Sequence, residues 1–235
     1  MIRRFLAQEG AKLREMNFTE KRQYIWEYYK LQIFITVFCL FFIGSLINHY
    51  FINPPKREYL YITWAGDLIY TGPLDRLAER LNVIVENPDR YRVSVRSYAL
   101  TGEPQMDQAL ITRFHALISV GDIDALLVTK EGVVAYAEFG VLSPVHDVMN
   151  VLAEIDPGLH RDMEGRLVTI TYITDREEAS ITDVMAIDLR DSVLMAELGF
   201  FVDDLFLCTI VTSDRHHELA KALQLIFGEG EWDDV

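Results

Sequence analysis

The chain has 235 residues, of which 36 are acidic and 22 are basic, and its formal net charge is −14 at pH 7. An acidic surface repels phosphate backbones, so this balance argues against a nucleic-acid-binding protein. The two cysteines, Cys39 and Cys208, each stand in a separate apolar run and predict no intramolecular disulfide. Composition therefore excludes a disulfide-stapled scaffold, and the core has to supply the stability.

Residues 1–30 predict a cytoplasmic N-terminal segment that ends in a helix beside the membrane. Residues 1–17 are polar and mixed and indicate no fold. Thr19 is a candidate N-cap for a helix over the sequence TEKRQYIWEYYK. Its tyrosine and tryptophan side chains are typical of the headgroup level of a bilayer.

An uncharged stretch follows, from Leu31 to Pro55, with the apolar core IFITVFCLFFIGSLI. About 20 apolar residues span the hydrocarbon of a bilayer, so residues 31–52 predict a transmembrane helix. A buried core helix is one alternative, but 25 residues without a formal charge are too long for most such helices. A cleaved signal peptide is another, but it has a shorter apolar region and a shorter charged region before it. An uncleaved signal anchor in a bacterial cell membrane fits better.

Charge on the two sides of this stretch predicts its orientation. Residues 1–51 hold 7 basic and 4 acidic side chains, whereas the remainder holds 15 basic and 32 acidic ones. Basic residues next to a span stay on the cytoplasmic side, which predicts a cytoplasmic N-terminus and an acidic domain outside the cytoplasm.

Residues 53–58 predict a linker, since Pro54 and Pro55 end the helix. Residues 59–228 predict one α/β domain with a largely parallel or mixed sheet, and residues 229–235 an acidic, solvated tail. Strand patterns cover residues 59–64, 91–98, 125–128, 133–139, 167–173, 184–189 and 205–212. Helix patterns cover residues 73–81, 105–120, 145–155 and 216–227.

Two segments of this domain carry a resemblance. Residues 121–148, GDIDALLVTKEGVVAYAEFGVLSPVHDV, and residues 185–227, MAIDLRDSVLMAELGFFVDDLFLCTIVTSDRHHELAKALQLIF, resemble a reduced bacterial extracellular solute-binding protein. The shared features are a G-x-x-D step before a strand, a tyrosine-containing segment with G-x-L, and a late strand whose Thr/Ser turn leads into a helix. The sequence YIWEYYK is similar to a segment of uncharacterised single-pass proteins of Gram-positive bacteria.

The resemblance covers roughly residues 105–227 and implies one lobe of such a protein. Full members close two lobes over their ligand, so the length available here implies a second lobe that is small or absent. A role in interaction or sensing is therefore at least as strongly expected for this domain as the capture of a solute.

Motifs for catalysis, cofactor binding and metal binding are weak, so no catalytic, cofactor-binding or metal-ligating residue is predicted. The sequence has no G-x-S-x-G, P-loop, H-E-x-x-H or G-x-G-x-x-G motif. His216 and His217 are the most metal-like pair, but adjacent helical residues diverge, and Ser213 or Asp214 is expected to cap a helix there. Residues 156–164 are interpreted as a solvated turn and not a calcium loop, and Asp203 and Asp204 as a turn at the entry to a strand and not an acid/base pair.

Trp64, Asp67 and Tyr70 stand where the first strand ends. Ligand crevices in open α/β sheets lie outside the carboxyl ends of strands, so these residues are candidates for a crevice. Large aromatic residues are mostly buried, and Trp64 is interpreted as a core residue in preference to a crevice residue.

We expect a non-enzymatic, membrane-anchored binding, sensing or scaffolding protein of a bacterial envelope complex. Its expected partners are the lipid bilayer and a second membrane protein, with no nucleic acid. The alternative is a receptor that delivers a small solute to a membrane transporter. An envelope hydrolase is disfavoured because the nucleophile and metal motifs are missing.

Overall fold

The computed structural model describes residues 17–52, 54–66, 72–98, 104–173, 180–200 and 204–228, apart from the side chains of residues 21, 24, 25 and 104–107. The chain divides into two compact units, residues 1–55 and residues 56–235.

In the first unit, the described residues form one long helix, α1, over Phe18–Ile47, which continues as a π-helical turn over Asn48–Ile52. Asn17, and not the predicted Thr19, is the N-cap: its side chain accepts from the backbone N–H of Phe18, and Glu20 accepts from the N–H of Asn17. This reciprocal capping box satisfies donors that the first turn leaves free. The stretch Trp26–Ile52 is 27 residues long and apolar enough to cross a membrane.

The second unit is an α/β domain built on one mixed sheet. Its strands are β1 (Arg57–Trp64), β2 (Tyr91–Ser97), β3 (Ala125–Val128), β4 (Leu142–Ser143), β5 (Leu167–Tyr172), β6 (Ile181–Asp188) and β7 (Phe206–Ile210). Its helices are α2 (Gly72–Leu81), α3 (Pro104–Ser119), α4 (Lys130–Glu138), α5 (His146–Ile155), α6 (Pro157–Glu164), α7 (Val193–Glu197) and α8 (His216–Phe227), with a 3₁₀ turn at Asn82–Ile84. The predicted α/β class with an N-terminal apolar helix is confirmed.

The sheet has the strand order β2-β1-β3-β7-β6-β5, and the short β4 also pairs with β7. β1 pairs in parallel with β2 and β3, whereas β7, β6 and β5 follow as antiparallel neighbours. The run LFLCTIV thus supplies a central strand, and all five residues of β7 are buried. A strand buried on both faces has a continuous apolar sequence, which is why this one could be predicted.

Helices cover both faces of the sheet. One face packs against α2, α5, α6, α7 and α8, through residues such as Leu77, Leu152 and Leu223. The other face packs against α3 and α4, through Phe114 and Val133 among others. Strand residues alternate between the two cores, and in β1 Ile62 and Trp64 join the first while Tyr61 joins the second.

Three further local predictions, all in the α/β domain, are wrong. Residues 133–139 were predicted as a strand, but α4 occupies Lys130–Glu138, with the Thr129 side chain accepting from the N–H of Gly132 and with Val133 and Ala137 buried on one face. Residues 156–164 form α6 and not a turn, because Asp156 accepts from the N–H of Leu159 and Pro157 suits the first turn. Neither Ser213 nor Asp214 caps α8, whose N-cap is Arg215 without a side-chain cap. The Ser213 hydroxyl donates to Asp124 and accepts from the N–H of Arg215, one residue before the helix begins.

Candidate functional site

A cavity of about 340 Å³ lies in the α/β domain, on the face covered by α3 and α4. Ala65 and Gly66, which follow β1, and Tyr98, which follows β2, form its sheet side. The backbone N–H of Tyr98 donates to the carbonyl of Trp64 over 2.9 Å, which fixes Tyr98 beside the end of β1. The cavity therefore lies next to the carboxyl ends of two parallel strands, where α/β domains commonly bind ligands.

Helix α3 forms a second wall. Leu110, Ile111, Phe114 and His115 line the cavity from this helix. Phe114 is buried, whereas Ile111 and His115 are exposed. These positions, at spacings of one, three and four residues, fall on one side of the helix, so the cavity is bounded by a continuous strip of α3.

The third wall comes from α4 and the residues after it, with Tyr136, Phe139 and Val141. Phe139 is 71% exposed although it lines the cavity, so it stands at the opening. The incorrect strand prediction for residues 133–139 concealed this wall, because a helix and a strand present Tyr136 and Phe139 in different directions.

The aromatic rings of the three walls contact one another. The ring centroid of Phe114 lies 5.5 Å from that of Tyr98 and 5.8 Å from that of Tyr136. His115 lies 6.2 Å from Phe114, edge to face. Rings at these separations attract one another and provide flat apolar surfaces. The cavity can thus hold a small molecule with an apolar or ring-shaped body.

A polar group lies behind this wall. The phenol oxygens of Tyr98 and Tyr61 are 3.4 Å apart. Burial raises the pKa of Tyr61, and the hydrogen bond with Tyr98 raises it further, so the Tyr61 phenol is neutral at pH 7. Tyr98 also lines the cavity, so this hydroxyl pair places hydrogen-bonding groups at its wall.

Trp64 does not line this cavity. Its side chain is only 1% exposed and belongs to the core on the opposite face of the sheet. The interpretation of Trp64 as a core residue is confirmed. Asp67 and Tyr70, the other two crevice candidates, lie outside the described residues.

A second polar cluster surrounds Asp124, directly before β3. The buried carboxylate accepts from the backbone N–H of Tyr61 (2.8 Å), the hydroxyl of Ser213 (2.8 Å) and the guanidinium of Arg215 (3.1 Å). Burial raises the pKa of Asp124, while these donors act in the opposite direction. All three donors are groups of the domain itself, so the carboxylate joins the turn after β7 to β1. The cluster therefore stabilises the fold.

The remaining sequence candidates stay separate from both clusters. His216 and His217 begin α8, and His216 Nε2 lies 3.9 Å from the Asp147 carboxylate. Asp204 lies 3.7 Å from Arg190, and Asp203 falls outside the described residues. In the part of the chain that the structure describes, no group of three or more His, Cys, Asp or Glu side chains is placed to hold a metal ion.

Comparison of the chain with protein families, curated proteins and solved structures finds no match. The class that the fold itself defines is an α/β domain with a mixed sheet, of seven strands in the part of the chain that the structure describes, preceded in the chain by a helix able to span a membrane. The cavity was not predictable from a linear motif, because its rings come from three separate elements.

Proposed function

We propose that this is a non-enzymatic, single-pass membrane protein of the bacterial envelope that binds a small molecule in its α/β domain and acts as a sensor. The observation that supports this most is the cavity of about 340 Å³ with its wall of Tyr98, Phe114 and Tyr136. Ligand pockets have volumes of roughly 300–1,000 Å³ and mostly apolar walls with a few polar groups.

The chemistry of the wall favours binding over catalysis. Its polar side chains are the two tyrosines and His115. A catalytic pair needs a nucleophile within hydrogen-bond reach of a base, and no such pair occurs among the described lining residues. The solute-binding resemblance of residues 121–148 and 185–227 also supports a binding role.

The proposed orientation has a cytoplasmic N-terminus and an extracytoplasmic domain. Its support is the basic character of residues 1–51 and the acidic character of the rest. Single cysteines at position 10 or 235, in a variant carrying Cys39→Ser and Cys208→Ala, test it with an impermeant thiol reagent on intact cells. Labelling at position 235 and not at 10 is expected, and the reverse pattern would refute this orientation.

Ligand binding is tested with the full chain in lipid nanodiscs. Thermal unfolding is followed against a panel of sugars, amino acids, aromatic acids, peptides and divalent ions. A ligand present at about 100 times its dissociation constant stabilises the folded state by about 2.7 kcal/mol and raises the midpoint.

The location of binding is tested with a cavity-filling variant. Ile111 lines the cavity and is partly exposed, so Ile111→Trp is expected to fill the cavity and abolish the shift. Val120→Trp is the control, because Val120 is 70% exposed and lies just beyond α3, outside the lining. If the Ile111→Trp variant folds and responds as the original protein does, the cavity is not the ligand site.

A receptor that delivers its ligand to a transporter is the second candidate, and the presence in one chain of the cavity and of a helix able to span a membrane favours it. Purification of the protein from native membranes, with and without the ligand, distinguishes a receptor from a sensor. A receptor of this kind is expected to retain a transporter subunit, whereas a sensor is expected not to.

A further inference from the structure

We propose that the cavity is selective for small, uncharged molecules that carry an aromatic ring and one hydroxyl group, with the ring held by the aromatic walls and the hydroxyl bonded to Tyr98. This inference rests on the proposed ligand-binding function and specifies the class of ligand. Three features of the lining residues support it.

The first feature is the lack of formal charge at the lining. None of the ten lining residues that the structure describes is an aspartate, glutamate, lysine or arginine, although these four types make up 25% of the whole chain. His115 is the lining residue that can take up a proton near neutral pH, and it is exposed. Moving an ionised group from water into apolar surroundings is costly unless a partner of opposite charge is present. The lining therefore disfavours charged molecules of either sign.

The second feature is the shape of the walls. Ala65 and Gly66, which line the sheet side, have no side chain larger than a methyl group, so they leave space beside the end of β1. The Phe114 ring is tilted by 48° from the ring of Tyr98 and by 59° from that of Tyr136. Rings that are inclined in this way can contact a further ring by both face and edge, the arrangements that aromatic pairs prefer. A flat ring is therefore the body that gains most from this wall.

The third feature is the hydroxyl pair of Tyr61 and Tyr98. The two oxygens lie 3.4 Å apart, and either one can be the donor. If Tyr61 donates, Tyr98 keeps its own proton to donate, and if Tyr98 donates, its oxygen keeps a lone pair to accept. A hydroxyl on the ligand is both donor and acceptor, so it can bond to Tyr98 in either arrangement. Of the two tyrosines only Tyr98 is among the lining residues, so the bond is assigned to it.

Size completes the description of the ligand. The volume of about 340 Å³ is near the lower end of the range for ligand pockets, which suits one or two rings with few substituents. Apolar cavities in proteins bind small uncharged aromatic molecules. The class is therefore that of phenols and ring-bearing alcohols.

The test uses 4-methylphenol and 2-naphthol on the full chain in nanodiscs, by isothermal titration calorimetry. Each is compared with three relatives of similar shape: the hydrocarbon without the hydroxyl, the carboxylate and the methylammonium compound. The titrations are made at pH 8, where an ordinary imidazole is neutral. Because rings also enter lipid, the heat measured with empty nanodiscs is subtracted. We expect at least one of the two phenols to bind tenfold or more tightly than both charged relatives, and about fivefold more tightly than its hydrocarbon.

The role of Tyr98 is tested with Tyr98→Phe, which is expected to abolish the preference for the phenol over the hydrocarbon while binding the hydrocarbon unchanged. This variant leaves the buried Tyr61 hydroxyl without its partner, so the double variant Tyr61→Phe, Tyr98→Phe is measured as well. Replacing both partners leaves no unpaired hydroxyl and is expected to give a folded protein with the same loss of preference.

The control variant is Tyr91→Phe. It also removes one tyrosine hydroxyl, but from the amino end of β2 and outside the lining. It is expected to keep the preference for the phenol. Loss of preference in the control, or its retention in the double variant, would overturn the assignment of Tyr98.

Three results separate this inference from the function on which it rests. If a charged relative binds as tightly as its phenol, the ligand class is wrong while the binding function stands. If no phenol binds but another compound of the broad panel does, and Ile111→Trp blocks it, the ligand class is again wrong and the cavity is still the site. If nothing in either panel binds, both the ligand class and the binding function are refuted.

Discussion

Asp124 and Tyr61 are joined twice, although 63 residues separate them in the chain. The Asp124 carboxylate accepts from the backbone N–H of Tyr61 over 2.8 Å, and the N–H of Asp124 donates to the carbonyl of Tyr61 over 2.9 Å. Since Asp124 is only 2% exposed and also binds Ser213 and Arg215, this contact fixes β1, the start of β3 and the turn after β7 together.

Replacing Asp124 by alanine is expected to lower the free energy of unfolding by about 2–4 kcal/mol, because a buried N–H and a partly buried guanidinium lose their acceptor. Ser213→Ala is expected to cost less, about 1 kcal/mol, since Asp124 keeps its two other donors. Urea unfolding of the full chain in detergent, followed by circular dichroism, measures both. Equal losses in the two variants would contradict a central role for the carboxylate.

Truncation to alanine is expected to destabilise the protein strongly at Trp64 and hardly at all at Phe139. Trp64→Ala should destabilise the domain by about 3–5 kcal/mol, because the side chain is 1% exposed in the core. Phe139→Ala should change stability by no more than about 0.5 kcal/mol, because its side chain is 71% exposed at the cavity opening. Thermal unfolding compares the two. A stable, folded Trp64→Ala protein would refute the core assignment of this residue.

Gly66 allows the backbone to pass close to the Trp64 ring. A Cβ at position 66 would lie 2.6 Å from that ring, so Gly66→Ala should cost about 1–3 kcal/mol through overpacking. Gly72→Ala is the control, because a Cβ there meets nothing within 4 Å. Both variants are compared by their midpoints in urea, and equal stability of the two would contradict the close approach.

The ion pair of Asp188 and Arg190 is expected to make the free energy of unfolding depend on pH. Hydrogen bonds from Arg190 hold the pKa of Asp188 below its usual value. The stabilisation from this ion pair is therefore complete above the pKa that Asp188 has in the unfolded chain, about 3.9. It is lost as the pH falls through the lower pKa that Asp188 has in the folded protein. The difference in unfolding free energy between the original protein and Arg190→Gln should be constant from pH 5 to 7 and should shrink below pH 4. Arg161→Gln, which removes an exposed arginine from α6, should show no such change.

Cys208 is expected to resist thiol reagents in the folded protein. It lies fully buried in β7, and burial raises the pKa of its thiol, so the reactive thiolate is scarce. In a Cys39→Ser variant, labelling with a membrane-permeant maleimide should follow the urea unfolding curve. Rapid labelling without urea would show that β7 opens locally.

The sequence by itself determined the features that depend on neighbouring residues. The apolar stretch that ends at Ile52, the amphipathic helix ending at Phe227 and the continuous apolar run of β7 each have a pattern that fits one structure. The helices α4 and α6 also have local signals, since Thr129 and Asp156 accept from backbone N–H groups of the first turn. For α4, the β-branched pair Val133 and Val134 favoured a strand and outweighed that signal.

The cavity and the Asp124 cluster were decided by the tertiary structure. Tyr61 meets Tyr98 across 37 positions, and Asp124 meets Ser213 and Arg215 across 89 and 91. Such contacts depend on the strand order, which places β7, last in the chain, beside β3. A local pattern shows only which side of an element is apolar, whereas the neighbour of that side is set by how the whole sheet assembles.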